Sequence, residues 1–326
     1  MASYKELHGH NIQTVSSDPD NPIHGQIWYN TTTGTIRAFQ GTLVGTWATG
    51  GNMNESRVQG AGAGIQTAGL AFAGWTPDGY RATAETYNGS SWTEVGDLNT
   101  ARRNLNGLGT QTAALGGGGG PPAQDIVESY DGSSWTEVSD FNTAKDNNCG
   151  MTGTQTAGIA FGGEGGPGAK LVNAEKWNGS SWTEVADLST ARHSLAAAGT
   201  STATLGSGGA VDSPAVSSVV ESYNGTSWTE TTDINTGRQG CAGFGTNTAA
   251  LVFGGEGQAV VELWNGTSWV EQNDLTVATA HASPSQSGTT TAGFAAGGFT
   301  PPGVTKLNTT MEWSGPSDET VSFDAS

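Results

Sequence analysis

The segment Glu85-Thr-Tyr-Asn-Gly-Ser-Ser-Trp92 decides the fold, because it recurs along the chain with only small changes. The other four copies begin at Glu128, Glu175, Glu221 and Glu262 and end at Trp135, Trp182, Trp228 and Trp269. A degenerate sixth copy, Glu312-Trp313-Ser314-Gly315, stands near the end of the sequence. Self-similarity at a period of about 45 residues predicts a fold built from repeated supersecondary units.

Each repeat has turn-forming residues at the spacing expected between four short strands. In the second unit these strands are predicted at Leu105–Gly109, Ala113–Gly117, Ile126–Tyr130 and Trp135–Val138. The pair Asp131-Gly132 between the last two supplies the positive φ that a tight hairpin turn requires. Four strands in about 45 residues are typical of one blade of a β-propeller, so the fold class is all-β.

The order of residues within a unit resembles the kelch repeat. The pattern is Arg102, then Leu115-Gly-Gly117, then Glu128-x-Tyr130 and Trp135, with Lys145 and Thr279 standing where an Arg is expected in later units. The resemblance covers residues 45 to 315 and implies a six-bladed kelch-like propeller. Kelch propellers bind proteins or glycans or act as enzymes, so the resemblance by itself leaves the function open.

The two ends of the repeat region predict how the ring closes. The sixth unit lacks the Ser-Trp strand of the others, whereas Trp47–Arg57 matches Trp92–Arg102 position for position. We therefore expect the strand that contains Trp47 to complete the sixth blade and to cover an exposed sheet edge.

Residues 1–44 lie outside the repeat. Gly25-Gln-Ile-Trp-Tyr-Asn30, a Thr-Gly turn and Thr35-Ile-Arg-Ala-Phe39 read as a hairpin with alternating apolar residues. This stretch resembles a short module of bacteriophage tail-fibre and virion structural proteins, including those of marine phages. The resemblance implies an attachment module at 1–44, with Trp28 and Tyr29 as exposed attachment aromatics, and leaves residues 316–326 as a C-terminal tail.

Composition excludes several classes of partner. The 326 residues include 12 Lys and Arg but 30 Asp and Glu, which gives a formal charge of −18. A chain this acidic is repelled by phosphate backbones, so we expect no nucleic-acid partner. No stretch reaches the ~20 apolar residues of a membrane span, so no membrane insertion is expected. Cys149 and Cys241 have no metal-ligand spacing, and we expect neither a metal nor a cofactor.

The charged residues that recur once per unit have two interpretations. A ring of Arg57, Arg102, Arg192 and Arg238 could bind an anion at the central channel. One basic and one acidic residue per blade could instead form repeated ion pairs, the acidic partners being Glu85, Glu128, Glu175, Glu221, Glu262 and Glu312. Periodicity through the whole ring favours the ion pairs, because a binding site seldom needs six copies.

The turn of the second unit also has a catalytic reading. Ser129–Trp135 resembles the Asp-box of sialidases, but it is one residue shorter between Asp131 and Gly132. A sialidase also needs an arginine cluster and a Tyr/Glu nucleophile pair, and the chain has seven Arg in total. Turn chemistry accounts for every residue type here, so no catalytic residue is assigned and the protein is not expected to be an enzyme.

The loops between second and third strands differ most between units and form the candidate recognition face. The loop Trp75–Tyr80 and the adjacent Arg81 carry the residue types that dominate binding hot spots and stack on sugars. We select Trp75, Tyr80 and Arg81 as binding residues, although loop variation can equally reflect freedom from constraint.

These observations predict a phage virion structural protein, in the tail or fibre or decorating the capsid. It would dock on other virion proteins through residues 1–44 and display the propeller for adhesion, in several copies or as a homo-oligomer. A host cell-surface glycan is a further possible partner. The alternative is a carbohydrate-binding or glycan-degrading, sialidase-like propeller.

Overall fold

A computed structural model describes residues 12–19, 26–41, 44–166, 168–212, 215–300, 305–316 and 318–323. These residues form strands, turns and loops and no helix. The chain divides into two compact units: unit 1 is Met1–Gly45 with Pro316–Ser326, and unit 2 is Thr46–Gly315. The described residues therefore hold no membrane-spanning helix.

The described strands are numbered in chain order. Those of the first part of the chain are β1 (Gln13–Val15), β2 (Ile27–Asn30), β3 (Thr35–Gly41), β4 (Thr46–Thr49), β5 (Ala61–Ile65), β6 (Ala68–Phe72), β7 (Trp75–Thr76), β8 (Gly79–Tyr80), β9 (Ala84–Tyr87), β10 (Trp92–Val95), β11 (Asn106–Thr110), β12 (Ala113–Gly117), β13 (Val127–Tyr130) and β14 (Trp135–Glu137). The middle part contains β15 (Gly150–Thr154), β16 (Ala157–Phe161), β17 (Ala174–Trp177), β18 (Trp182–Glu184), β19 (Ala196–Thr200), β20 (Ala203–Ser207), β21 (Ala210–Asp212), β22 (Ala215–Val216), β23 (Val220–Tyr223) and β24 (Trp228–Glu230). The last part contains β25 (Ala242–Gly245), β26 (Ala250–Phe253), β27 (Val261–Trp264), β28 (Trp269–Glu271), β29 (Ser283–Pro284), β30 (Ala292–Ala296), β31 (Phe299–Thr300), β32 (Thr305–Lys306), β33 (Thr310–Ser314) and β34 (Asp318–Phe323).

Unit 2 is propeller-like. Within its described residues there are four-stranded antiparallel sheets A (β5, β6, β9, β10), B (β11–β14), C (β15–β18), D (β19, β20, β23, β24), E (β25–β28) and F (β29, β30, β33, β4). Two-residue or three-residue strands form small hairpins in three of the loops between second and third strands, namely β7–β8, β21–β22 and β31–β32. The all-β prediction and the four strands per repeat are thus confirmed.

The hairpin between third and fourth strands explains why the repeat keeps its residues. In sheet A the Asn88 side-chain oxygen accepts hydrogen bonds from the backbone N–H groups of Ser90 and Ser91, at 3.0 and 2.9 Å. Gly89 has a φ of 91°, which an L side chain rarely adopts. The turn places Tyr87 directly opposite Trp92, and their rings stack with centroids 4.8 Å apart.

Sheet F is assembled from both ends of unit 2. Its fourth strand is β4, which pairs antiparallel with β33 so that Trp47 faces Trp313. The two rings lie 5.4 Å apart, close to the spacing of the Tyr87–Trp92 pair in sheet A. The predicted role of the Trp47 strand as partner of the last repeat is therefore seen in the strand pairing.

The core lies between neighbouring sheets. A phenylalanine on the second strand of one sheet meets the fourth-strand tryptophan of the next, as in the pairs Phe72–Trp135 (4.7 Å), Phe161–Trp228 (4.8 Å), Phe253–Trp47 (5.0 Å) and Phe294–Trp92 (5.8 Å). Small residues make room for these rings: a Cβ on Gly69 would come within 2.4 Å of the Phe294 ring. The abundant glycine is therefore a packing requirement as well as a turn requirement.

Unit 1 contains a single four-stranded sheet in its described residues, with strand order β1-β2-β3-β34. Strand β34 pairs antiparallel with β3 over six residue pairs, from Ile36 opposite Phe323 to Gly41 opposite Asp318. The prediction that residues 316–326 form a separate C-terminal tail is wrong for Asp318–Phe323, because this strand belongs to the sheet of unit 1. The alternation of apolar residues in β34 is too short to predict that its partner is β3, almost 300 residues earlier in the chain.

Candidate recognition site

The repeated basic residues form ion pairs inside the scaffold and are not available to bind a ligand. Each is buried and forms an ion pair with the third-strand glutamate of its unit: Arg57–Glu85 (2.6 Å), Arg102–Glu128 (2.5 Å), Lys145–Glu175 (3.5 Å), Arg192–Glu221 (3.1 Å) and Arg238–Glu262 (3.1 Å). The ion-pair interpretation is confirmed for these five. A ring of free guanidinium groups that could bind an anion is not present at these positions.

These side chains also fasten each sheet to its neighbour. The backbone N–H of Arg102 donates to Arg81 beside sheet A, whereas its guanidinium pairs with Glu128 in sheet B. The other carboxylate oxygen of Glu128 accepts hydrogen bonds from the backbone N–H and side-chain amide of Asn99, at 2.7 and 2.9 Å. A buried carboxylate is tolerated because all of these donors compensate its desolvation.

Glu312 does not occupy the position that the sequence pattern assigned to it. The register places Trp313 opposite Gly293 and Trp47, as Tyr87 lies opposite Gly69 and Trp92. The buried residue equivalent to the other glutamates is therefore Met311, and the basic position is taken by buried Thr279. Glu312 points elsewhere and accepts a 2.5 Å hydrogen bond from the Tyr87 hydroxyl.

Backbone hydrogen bonds join all six sheets through residues that stand just before the first strands. In each bond the backbone N–H of one residue donates to the backbone carbonyl of another, over 2.8 to 3.3 Å. The six bonds, with the donor named first, are Asn104 to Gln59, Asn148 to Asn104, Ser194 to Asn148, Gly240 to Ser194, His281 to Gly240 and Gln59 to His281. We call this set the hydrogen-bond cycle. All six residues have positive φ, between 52° and 65°, although only Gly240 lacks a side chain.

Polar side chains of the cycle bond to residues that adjoin it in the chain and in the loops. Asn104 donates to Asn147 (2.9 Å), and Asn147 donates to the Glu164 carboxylate (2.7 Å). Burial lowers the pKa of His193, whose Nδ1 lies 3.0 Å from the Ser194 hydroxyl and whose Nε2 stays 3.7 Å from Glu164. Ser194 Oγ donates instead to the Asn147 carbonyl. Ser194, His193 and Glu164 therefore form a structural network and lack the geometry of an activated nucleophile.

His281 is the cycle residue with the most perturbed ionisation. Its ring stacks on Phe299, with centroids 5.8 Å apart and planes 16° from parallel. Burial, together with the nearby His193 and Arg103, lowers the pKa of His281 to about 4, so the imidazole is neutral near pH 7. The adjacent cavity, lined in part by Asn148, His281 and Gln286, is narrow and has room for little more than a water molecule.

Two of the predicted recognition residues lie together, and the third does not. Trp75 on β7 pairs with Tyr80 on β8, and Tyr80 is 41% exposed. Arg81 turns away to form ion pairs with Glu55 (2.7 Å) and Asp78 (3.2 Å), and the hydrogen bond to Glu55 is the main cause of its raised pKa. Arg81 is therefore neutralised within the chain.

Two cations that sequence reasoning missed take its place. The Arg103 guanidinium lies 5.5 Å from the Trp75 ring centroid and 5.4 Å from that of Tyr80. The ammonium of Lys306, on β32, lies 3.4 Å from the Trp75 centroid. We call Trp75, Tyr80, Arg103 and Lys306 the recognition cluster. The sequence did contain a signal for Arg103: it is the second of two adjacent arginines at a position where each of the other units has at most one Arg or Lys.

The sialidase-like reading finds no support at its own residues. The Asp131 carboxylate accepts hydrogen bonds from Ser134 and Ser133, which lower its pKa to about 2, and this is the same turn that Asn88 makes. A Tyr/Glu pair does exist at Tyr87 and Glu312, but burial and the bond to Glu312 raise the pKa of Tyr87 to about 12. A nucleophilic tyrosine requires the opposite shift.

In unit 1 the expected exposure of Trp28 is wrong. Trp28 is fully buried, and its indole N–H donates to the Asp18 carboxylate at 2.9 Å. Asn30 and Arg37 bond to the same carboxylate, so Asp18 holds together β2, β3 and the preceding loop. Strand alternation leaves Tyr29 on the opposite side of β2, where it is only partly buried. Tyr29 remains the candidate attachment aromatic.

Comparison with known proteins supports the fold alone. The chain resembles the solved structure titled "Structure of YjhT", with a TM-score of 0.65 and 11% sequence identity. The match covers 79% of this chain and 95% of that one. No protein-family model matches the sequence, and no curated protein matches it significantly. A likeness at this identity places the protein among propeller-like all-β folds, which host many unrelated functions.

Proposed function

We propose that unit 2 is a six-bladed, kelch-like β-propeller in which sheets A to F are the blades and β4 closes the ring. Three observations support this closure: the six repeats, the pairing of Trp47 with Trp313, and the hydrogen bonds that run from Gln59 through the cycle to His281 and back. The Phe294–Trp92 contact between sheets F and A joins a second-strand phenylalanine to the fourth-strand tryptophan of the next sheet, as at three other boundaries between sheets, although Phe294 stands at a different register position. A closed ring leaves no sheet edge open to aggregation.

We further propose that the protein is a structural protein of a bacteriophage virion, carried on the tail, fibre or capsid, where it acts in adhesion. Unit 1 docks on other virion proteins, and the propeller is displayed as a recognition module in several copies. The resemblance of residues 25–39 to phage tail-fibre modules supports the assignment.

One observation carries the adhesive function. The repeated Arg and Lys side chains are buried in ion pairs, whereas the recognition cluster holds two cations on aromatic rings in the variable loops. Groups that the scaffold does not require, gathered from three loops around an exposed Tyr80, are typical of binding sites. Tyr87 is buried and its pKa is raised to about 12, so its pair with Glu312 supplies no activated nucleophile, and we propose that the protein acts by binding.

The docking role can be tested at Tyr29. We expect Tyr29→Ser to reduce incorporation into particles severely, because it removes the partly buried ring from the side of β2 opposite Trp28. Thr33→Ala, in the exposed turn that follows β2, is the matched control and should incorporate normally. Incorporation would be measured by mass spectrometry of purified virions, with circular dichroism to show that both variants fold. Normal incorporation of folded Tyr29→Ser would refute docking through this side of the sheet.

A further inference from the structure

Arg103 and Lys306 stand out in the charge distribution of the described residues. Arg37 pairs with Asp18 and Arg81 with Glu55, in addition to the five buried pairs of the scaffold. Neither Arg103 nor Lys306 forms an ion pair with a described residue, although acidic side chains outnumber basic ones by 18 in this chain. In so acidic a protein, two neighbouring cations without a carboxylate partner are an unexpected arrangement.

The aromatic rings hold these cations in place. Both charges lie within 5.5 Å of the Trp75 centroid, and a cation beside an aromatic face is attracted by the negative charge of the ring face. Desolvation lowers the pKa of Lys306, and the attraction of the nearby Asp78 carboxylate offsets only part of that effect, so the ammonium is incompletely stabilised. The Nε–H of Arg103 is buried without an acceptor among the described residues, as it is in several arginines of the scaffold, but the Arg103 side chain as a whole is only partly buried. The cluster is thus oriented and incompletely satisfied.

We propose that the recognition cluster binds a carboxylate group of an acidic glycan, an inference that rests on the proposed adhesive function. Arg103, which is only partly buried, offers the two Nη–H groups at the end of its guanidinium, and these match the two oxygens of a carboxylate. Lys306 supplies a second charge next to it. Tyr80, exposed over 41% of its surface, offers a ring face to the sugar that carries the carboxylate, whereas Trp75 serves to orient the cations.

Two features favour a glycan over an acidic peptide. The exposed Tyr80 ring provides a flat apolar surface that a pyranose ring can cover. A formal charge of −18 also repels a densely charged chain, whereas a ligand with one carboxylate for every one or two sugar rings meets the local cations with little such repulsion. The ligand class is therefore a uronate-type oligosaccharide whose neutral sugars separate the carboxylates.

Calorimetric titration of the full chain tests the inference directly. The probes are a hyaluronan oligosaccharide, which alternates glucuronate with a neutral sugar, its carboxyl-reduced form, and an oligoglutamate peptide of similar length. We expect saturable binding of the acidic glycan alone. Arg103→Gln and Lys306→Gln should each weaken that binding by about tenfold to a hundredfold, as expected for loss of one charged hydrogen-bond donor. Arg81→Gln, at a cation already paired with Glu55, is the matched control and should bind nearly as wild type.

The outcomes separate this inference from the function on which it rests. Equal binding of the reduced glycan, preference for the peptide, no saturable binding of the acidic glycan, or unchanged affinity in both Gln variants would each overturn the carboxylate site. In parallel, virions carrying Arg103→Gln would be assayed for attachment to host cells. Attachment that needs the protein but not Arg103 would leave the adhesive function standing without the carboxylate site. Attachment that is normal in virions lacking the protein would refute the adhesive function itself.

Discussion

At the scale of single residues, the buried ion pairs define what each repeat must conserve. Arg102 and Glu128 are both fully buried, and a buried charge that loses its partner typically costs 3–5 kcal/mol. Sheet F shows that the pair itself is dispensable, because Thr279 and Met311 stand at its two positions and are buried there. The scaffold therefore requires that these two buried positions hold side chains that leave no unpaired charge, and an ion pair is one way to meet that requirement.

This comparison predicts strong non-additivity in sheet B. Arg102→Thr alone should lower the free energy of unfolding by about 3–5 kcal/mol, because Glu128 is left as an unpaired buried charge. The double variant Arg102→Thr, Glu128→Met copies sheet F and should cost less than the sum of the two single changes. Urea unfolding of the three variants checks this with a double-mutant cycle. Additive costs would mean that sheet F is not a transferable solution.

His281 makes stability depend on pH. Its folded pKa of about 4 lies below the ordinary value of 6.5, so the unfolded chain takes up the proton first as the pH falls. The protein should therefore keep this stability above pH 6.5 and lose it progressively between pH 6.5 and 4, by about 3 kcal/mol at most.

The variant His281→Asn separates this effect from the titration of carboxylates. Asparagine tolerates the positive φ of 53° and does not titrate, so its loss of stability between pH 7 and 4.5 should be smaller than that of the wild type. Urea midpoints at the two pH values supply the measurement. An equal loss in both proteins would show that folding does not lower the pKa of His281.

At the scale of elements, β4 is the strand on which the repeat region depends most. It pairs along β33, and Trp47 packs against both Trp313 and Phe253. Without β4 the backbone of β33 would present unpaired N–H and C=O groups and two aromatic rings would lose their cover.

Two truncations test that dependence. Deletion of residues 1–50 should expose the edge of β33 and cause aggregation, seen as a high-mass species in light scattering. Deletion of residues 1–44 together with 316–326 removes unit 1 but keeps β4, so this control should remain monomeric and melt cooperatively. A monomeric first truncation with the melting temperature of the control would contradict closure by β4.

At the scale of the whole molecule, the chain path joins distant segments twice. The β3–β34 pairing completes the sheet of unit 1, and the β4–β33 pairing completes sheet F of unit 2. Unit 2 is thus an insertion between two strands of unit 1. The sequence predicted the second pairing, since Trp47–Arg57 copies Trp92–Arg102, but not the first, because β34 copies nothing else in the chain.

The sequence by itself determined the all-β class, the four strands of each repeat, the Asn-Gly turns and the pairing of repeated basic residues with repeated glutamates. These features are local or periodic, so each copy reports on the others. Only the tertiary structure decided that Met311 replaces the sixth glutamate, that Trp28 is buried on Asp18, and that Arg103 and Lys306 join Trp75 and Tyr80 while Arg81 does not. Those outcomes depend on strand register and on which loops of different sheets come into contact. Neither can be predicted from residue type or from the spacing of residues along the chain.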